Sequence, residues 1–160
     1  MEPPSAATDV VLVHLGGCRY AVPLPSVVEV GRPPGLTRVP GVPGFVRGVA
    51  NWRGRVLAVL DLRGLLSAGP PSADRRSRLV VVQGRCRTEV VRVGLLVDAV
   101  TGGVSYDASA LEPTLPHLAD EGRALLAGQV TDADGPYGVL DLAAVLALAE
   151  QLPRADRRAG

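Results

Sequence analysis

The sequence contains no lysine. All 17 of its basic residues are arginine, which removes a phosphate-loop lysine, a Schiff-base lysine and a kinase strand lysine from consideration. Aromatic residues make up 3% of the chain, too few for the stacking platforms that hold single-stranded nucleic acid. Charge of one sign is also lacking. Sixteen acidic residues nearly balance the arginines to a net +1, which argues against a dedicated DNA-binding domain. Cysteine occurs only at Cys18 and Cys86, whereas a small secreted disulfide scaffold would use more. Together with His14 and His117 these two fit no zinc-finger or ribbon spacing, and they read as small thiols in a reducing cytosol. No apolar run approaches the ~20 residues that span a bilayer. The opening MEPPSAATD has no basic segment ahead of an apolar one, so it does not read as a signal peptide. The expectation is a cytoplasmic protein without cofactor or metal and without membrane insertion.

What is present is valine, glycine and proline. The chain has 160 residues, 19 of them glycine and 14 proline, long enough to bury about 70% of its unfolded surface. Residues 1–8 read as a flexible lead. Apolar runs at 10–15 and 20–22 around Gly16-Gly17 predict a hairpin, and runs at 45–50 and 55–60 around Asn51-Trp52-Arg53-Gly54 predict a second. Between them, 25–30 suggests one helical turn, 36–39 a short strand and 40–44 a turn. Asp61 precedes Leu62, Leu65 and Leu66 as if capping a short helix. The Pro-, Ser- and Arg-rich stretch 67–77 reads as a linker. Strands are expected at 79–82, 90–97 and 100–106, and a third hairpin at 125–130 and 137–140 around Asp132-Ala133-Asp134-Gly135. Leu142, Val145, Leu146 and Ala149 follow an Asp141 cap at helical spacing, and 153–160 reads as a tail. Val59-Leu60-Asp61-Leu62 echoes Val139-Leu140-Asp141-Leu142. Many short strands with Gly/Pro turns and no strand–helix alternation point to a mainly β chain built as small barrels or a sandwich.

Candidate chemistry is sparse. Asp61, Asp98 and Asp141 each follow an apolar strand, where a carboxylate more often caps a helix than performs acid–base work. Ser26, Ser67, Ser105 and Ser109 lack a nucleophile-elbow setting. Cys18 lies near His14 in sequence, which would become chemistry only if the fold joined them. Arg75, Arg76, Arg78, Arg85 and Arg87 form a basic cluster that could meet phosphate or solvent. Glu29 and Arg53 are lone charges in apolar surroundings; pattern alone reads them as solvated.

The stretch from Gly44 to Arg63, GFVRGVANWRGRVLAVLDLR, resembles the signature of CheW-like chemotaxis coupling proteins, which runs F-(I/V)-x-G-V-x-N-L-R-G and then an apolar strand ending in D-L-R. Tyr20-Ala21-Val22 with Val27-Val28-Glu29-Val30, Leu36-Thr37-Arg38-Val39-Pro40, Val93-Gly94-Leu95-Leu96-Val97-Asp98-Ala99-Val100 and Gly138-Val139-Leu140-Asp141-Leu142 resemble further family motifs, in order from about residue 10 to 150. The resemblance implies two small five-stranded SH3-like β-barrel lobes with short helices and a C-terminal helix. It places a CheW-like domain over 9–152, with a first lobe of about 9–66 plus the C-terminal helix and a second lobe of about 78–140.

It also implies a non-enzymatic adaptor that joins the cytoplasmic tip of chemoreceptors to the regulatory domain of a CheA-type histidine kinase, with no nucleic-acid partner, in association with membrane receptor arrays. Glu29 and Arg53 would then form a structural pair. Val27, Glu29, Gly48, Asn51, Trp52, Arg53, Val93 and Val100 would line or support a receptor groove, and Val39, Pro40 and Val42 would meet the kinase. Gly48 would keep the groove open to a receptor helix. Trp52 replaces the usual leucine, as a binding anchor or a lid. Rival readings are a coupling scaffold of a non-flagellar pathway such as surface motility or development, a nucleic-acid-binding barrel using the Arg75–Arg87 cluster, and a hydrolase using His14 and Cys18.

Overall fold

Gly16 and Gly17, at φ +58° and +87°, turn strand β1 (Ala7–Leu15) back into β2 (Cys18–Pro23) as an antiparallel hairpin. Only glycine adopts two successive positive-φ positions without steric cost. The computed structural model describes residues 7–66, 76–113 and 120–151. Residues 1–6 of the expected 1–8 lead, most of the 67–77 linker, His117 and the 153–160 tail lie outside those residues, whereas Ala7 and Thr8 of that lead belong to β1, where they pair with β8.

Pro23 ends β2, and a short 3-10 turn over Leu24–Ser26 leads into β3 (Val27–Gly31). Residues 25–30 are therefore mostly strand rather than a helical turn, since valine-rich sequence packs better on a pleated surface. The expected strand at 36–39 reduces to a single bridge between Thr37 and Val49, because Pro33, Pro34 and Pro40 leave too few ladder donors around it. Strands β4 (Val46–Trp52) and β5 (Arg55–Leu60) form the second hairpin. Strands β6 (Arg78–Cys86), β7 (Glu89–Val97) and β8 (Ala99–Asp107) follow. A short helix α1 (Asp120–Ala124) precedes the hairpin of β9 (Leu126–Asp132) and β10 (Gly135–Leu140). Helix α2 (Leu142–Ala147) then starts on its Asp141 cap, whose carboxylate accepts the Ala144 N–H.

The strands form two five-stranded sheets, β8-β1-β2-β10-β9 and β3-β6-β7-β5-β4. The chain is thus not divided at 67–77 into an N-terminal and a C-terminal lobe, as the sequence suggested. One barrel combines the first hairpin with β8, β9 and β10, and the other takes the continuous middle of the chain. The physical reason lies in two parallel pairings, β10 on β2 and β5 on β7. Parallel partners need a long crossover, so strands distant in sequence close each barrel.

The two barrels are the same module used twice. Each has two hairpins joined by a parallel pair, with one extra edge strand. Val59-Leu60 and Val139-Leu140 occupy equivalent strands, so the sequence echo marks a structural repeat. Thr37 bridges Val49 just as Glu112 bridges Gln129, and the residue before each bridge is Gly48 or Gly128. A Cβ on Gly48 would strike the Thr37 carbonyl oxygen, and one on Gly128 would lie 2.6 Å from that of Glu112.

Three apolar clusters result. Val10, Leu12, Ala21, Val130, Tyr137 and Val139 fill the first barrel. Ala50, Leu57, Val59, Leu79 and Val81 fill the second. The largest lies between them: Val13, Leu15 and Val22 from one sheet meet Leu60, Val80, Val82 and Val93 from the other, with Val145 and Leu146 of α2 packed in. Alternate residues of each strand thus serve its own barrel and the shared core.

Candidate functional site

Strands β3 and β4 are the two edges of the second sheet, and Glu29 on β3 is held by the tip of the β4–β5 hairpin. Trp52 Nε1 donates to Glu29 Oε2 at 2.6 Å, Arg53 Nε donates to the same oxygen at 3.1 Å, and Arg53 Nη2 donates to Oε1 at 2.8 Å. The expected Glu29–Arg53 pair therefore exists as a bidentate fork, with the indole as a third donor. It ties the two sheet edges together and closes the barrel. The tip geometry follows from the sequence: Asn51 Oδ1 accepts the Gly54 N–H at 2.9 Å, and Arg53 and Gly54 both take positive φ, +51° and +78°. Hydrogen bonds from Arg53, then from Trp52, hold the Glu29 carboxyl below its ordinary range, and Glu29 in turn raises the Arg53 guanidinium.

Register places one residue from each strand around this mouth of the barrel. Glu29 lies opposite Val81, Gln83 opposite Arg92, and Trp52 opposite Arg55. These continue, two residues at a time, the series that fills the interior. Trp52 packs on the interior cluster and so covers that end of the barrel interior. Arg53 and Arg92 both lie over its ring, at 5.5 and 5.1 Å from the centroid. Arg92 is fixed there by two hydrogen bonds to Gln83 Oε1, at 3.0 Å from Nε and 2.6 Å from Nη2.

The remaining expected groove residues divide. Asn51 and Arg53 are exposed, and Val27 and Val100 are half-buried against the shared core. Val93 is fully buried at 0% exposure, so it supports the floor and presents no surface to a partner. Gly48 is also buried, and the group that forbids its side chain is the chain's own Thr37 carbonyl rather than an incoming helix. Of the three residues assigned to a kinase contact, Pro40 is exposed, Val39 half-buried, and Val42 packs against the shared core.

A second polar assembly was not foreseen. Arg63 donates to both oxygens of Asp61, from Nε at 2.8 Å and Nη2 at 2.6 Å, and to Asp98 Oδ1 from Nη1 at 2.8 Å. Asp98 Oδ2 accepts the Gly16 N–H at 2.6 Å, and its own N–H donates to the His14 carbonyl. The assembly bolts the β1–β2 turn of one barrel to the end of β5 in the other. Asp61 and Asp98 thus bind Arg63 instead of capping helices, and residues 63–66 form turns rather than a helix. The D-L-R string in the sequence was the available signal. Burial is the largest influence on Asp61 and pushes its carboxyl up. The Arg63 hydrogen bonds and charge, with Arg47 at 3.5 Å, together outweigh burial and hold it below its ordinary value.

Other candidates stay apart. His14 and Cys18 sit on the paired strands β1 and β2 with no hydrogen bond joining them among the described residues. Arg85 and Arg87 are exposed near the β6–β7 turn, where Arg87 faces Glu150 at 3.5 Å, and Arg75 lies outside the described residues. No helix is long and apolar enough to cross a membrane among the described residues.

The chain thus folds as two five-stranded barrels, the second closed at its mouth by the Glu29–Arg53 fork. The family model for the CheW-like domain matches residues 9–150, and the chain belongs to that family. It is 36% identical over 105 residues to protein PilI of Pseudomonas aeruginosa, covering 66% of this chain and 57% of that protein. It is 33% identical over 106 residues to a probable chemotaxis protein CheW of Rhizobium etli, covering 66% of each. The matched part thus spans somewhat under two thirds of the length of PilI. Among solved structures, the scaffolding protein TtCheW of Thermoanaerobacter tengcongensis superposes with a TM-score of 0.74 at 26% identity, covering 88% of this chain and 87% of that one.

Proposed function

We propose that the chain is a non-enzymatic chemosensory adaptor that joins the cytoplasmic tip of chemoreceptors to the regulatory domain of a CheA-type histidine kinase in membrane-associated arrays. The observation that carries this reading is family membership across 9–150, with both barrels intact. The Glu29–Arg53 fork, braced by Asn51 and Trp52, offers a rigid edge at the receptor side, and the half-buried Val27 and Val100 line the adjoining seam. Val39, Pro40 and Val42 supply the kinase contact. Coupling is linkage: a receptor state that binds the adaptor differently shifts the kinase by that difference in free energy.

The test is calorimetric titration of the chain with the regulatory region of the CheA-type kinase from the same genome, followed by kinase stimulation in the presence of receptor. Saturable binding and receptor-dependent stimulation, lost in Arg53→Ala, are the expected results. An absence of binding at high concentration would refute the adaptor reading.

A further inference from the structure

The repeat supplies an internal control for the mouth of the second barrel. Val139 pairs with Ala21 in one barrel as Val59 pairs with Gly94 in the other. Counting two residues back, Arg19 and Arg92 are therefore equivalent. Asp132 and Trp52 are likewise equivalent, each closing the strand that carries the bridge to Glu112 or Thr37. In the first barrel, Arg19 is neutralised within the chain. Its Nη1 and Nη2 donate to Asp132 at 3.1 and 2.7 Å, while the guanidinium lies 5.4 Å from the Tyr137 ring centroid. In the second barrel Trp52 stands where that aspartate would be. Arg92 keeps the aromatic contact and a neutral amide oxygen from Gln83. No carboxylate pairs with it among the described residues, and Glu29 is taken up by Arg53 and Trp52.

We infer that Arg92 is a docking contact for an acidic side chain of the receptor-type partner, seated beside the Trp52 indole at the mouth of the second barrel. This rests on the adaptor reading and names the chemistry of one of its partners. The side chain is already held in place: the indole on one side and two hydrogen bonds to Gln83 restrict the guanidinium, so little rotamer freedom remains to be lost on binding. A planar guanidinium stacked on an aromatic ring still offers edge N–H groups to a carboxylate. Glu29 and Arg53 neutralise each other, and Arg92 adds to the mouth a positive charge complementary to an acidic helix surface. The exposed Val90, two residues along β7 on the same side, gives that helix an apolar neighbour.

The experiment titrates the full chain with the cytoplasmic hairpin fragment of a chemoreceptor from the same genome, at low and high salt. Parallel titrations with the kinase regulatory region serve as the control. Wild-type affinity for the receptor fragment is expected to fall with salt. Arg92→Glu should weaken it about tenfold or more and Arg92→Gln somewhat less, with a shallower salt dependence and kinase binding unchanged. Arg19→Gln, at the equivalent but internally paired position, should leave receptor affinity within about twofold. Equal receptor binding by wild type and both Arg92 variants would overturn the inference while leaving the adaptor reading standing. Wild type that binds neither partner would remove both. Should Arg92→Glu fail to fold, as judged by loss of kinase binding, Arg92→Gln decides alone.

Discussion

Replacing Arg63 by methionine should cost about 3–5 kcal/mol of stability at neutral pH, the range for removing one partner from a buried ion pair. The estimate belongs at this site because Arg63 is 7% exposed and Asp98 6%, and three of the guanidinium's N–H groups go to two carboxylates. Without the cation, the buried Asp98 and the half-buried Asp61 are left near each other with no guanidinium between them, and the link from the β1–β2 turn to β5 is cut. For a chain of this size the loss corresponds to a fall in Tm of about 6–20 °C. Urea unfolding followed by circular dichroism measures it, and an unchanged m-value shows that the folded state stays compact.

The pH dependence carries a definite sign. Asp61 is held below its ordinary 3.8 in the folded protein, so its contribution is complete above that value and is lost as pH falls through the lower folded value. In Arg63→Met, burial is left as the main influence. It raises the Asp61 carboxyl, so acid relieves the variant. The gap between wild type and variant should therefore be widest above about pH 5 and narrow steadily below pH 4. A loss under about 1 kcal/mol at pH 7 would show an exposed, weak pair, and a gap that ignores pH would remove the carboxylates from the explanation. Arg63→Lys, which keeps the charge without the fork, should fall between the two.

Gly48→Ala should destabilise the protein by about 1–3 kcal/mol and free the 32–44 loop to protease, because its φ of +143° and the Thr37 carbonyl both exclude a Cβ; equal cleavage rates would contradict that. Asp141→Ala should cost about 0.5–2 kcal/mol through the lost cap on α2, measured by thermal unfolding. Trp52→Leu and Arg53→Ala should each raise the Glu29 carboxyl towards its ordinary 4.5, with Arg53→Ala moving it further, as followed by NMR titration; an unmoved Glu29 would remove the fork. Unfolding should show a single calorimetric transition, since the shared core takes residues from both barrels; two separable transitions would refute this.

The local elements were legible where the signal was local. Three of the four hairpins carry Gly-Gly, Asn-x-x-Gly and Asp-x-Asp-Gly turns, and α2 carries a capping aspartate followed by helical spacing, so each of these can be read within a dozen residues, whereas the β6–β7 hairpin turns on Arg87-Thr88 without such a signal. The lobe boundary was not, because it depends on the parallel pairs of β10 with β2 and β5 with β7, which leave no local trace. The Glu29–Arg53 pair is invisible to pattern and comes only through family resemblance; the proline at 25 suggests a helical turn for Glu29, whereas the β-branched residues around it carry the strand. Asp61 differs from its expectation for a related reason. Aspartate after a strand and before leucines is the signature of a cap, and at Asp141 it is one. At Asp61 the residue two places on is an arginine, whose backbone N–H and guanidinium both donate to the carboxylate, so the aspartate closes a local turn and an ion pair rather than a helix.

That last contrast shows how one module gives two different ends of a molecule. The positions the two barrels hold in common are those that backbone geometry demands: a glycine before each bridge and a parallel pair beneath each strand-closing aspartate. Where side chains are free to differ, they differ in charge bookkeeping. Arg19 has Asp132 and Arg92 has Trp52; Asp141 has a helix N-terminus and Asp61 has Arg63. Glu29, on the edge strand of the second barrel, has only Gly102 in the equivalent register of the first. The first barrel therefore satisfies its mouth internally, whereas the second spends its carboxylate on closing its own edge and leaves a fixed cation. An aspartate in place of Trp52 would neutralise Arg92 as Asp132 neutralises Arg19, but it would give up the indole's packing on the interior and its hydrogen bond to Glu29. An indole there fixes the guanidinium and leaves its charge to be matched from outside the chain.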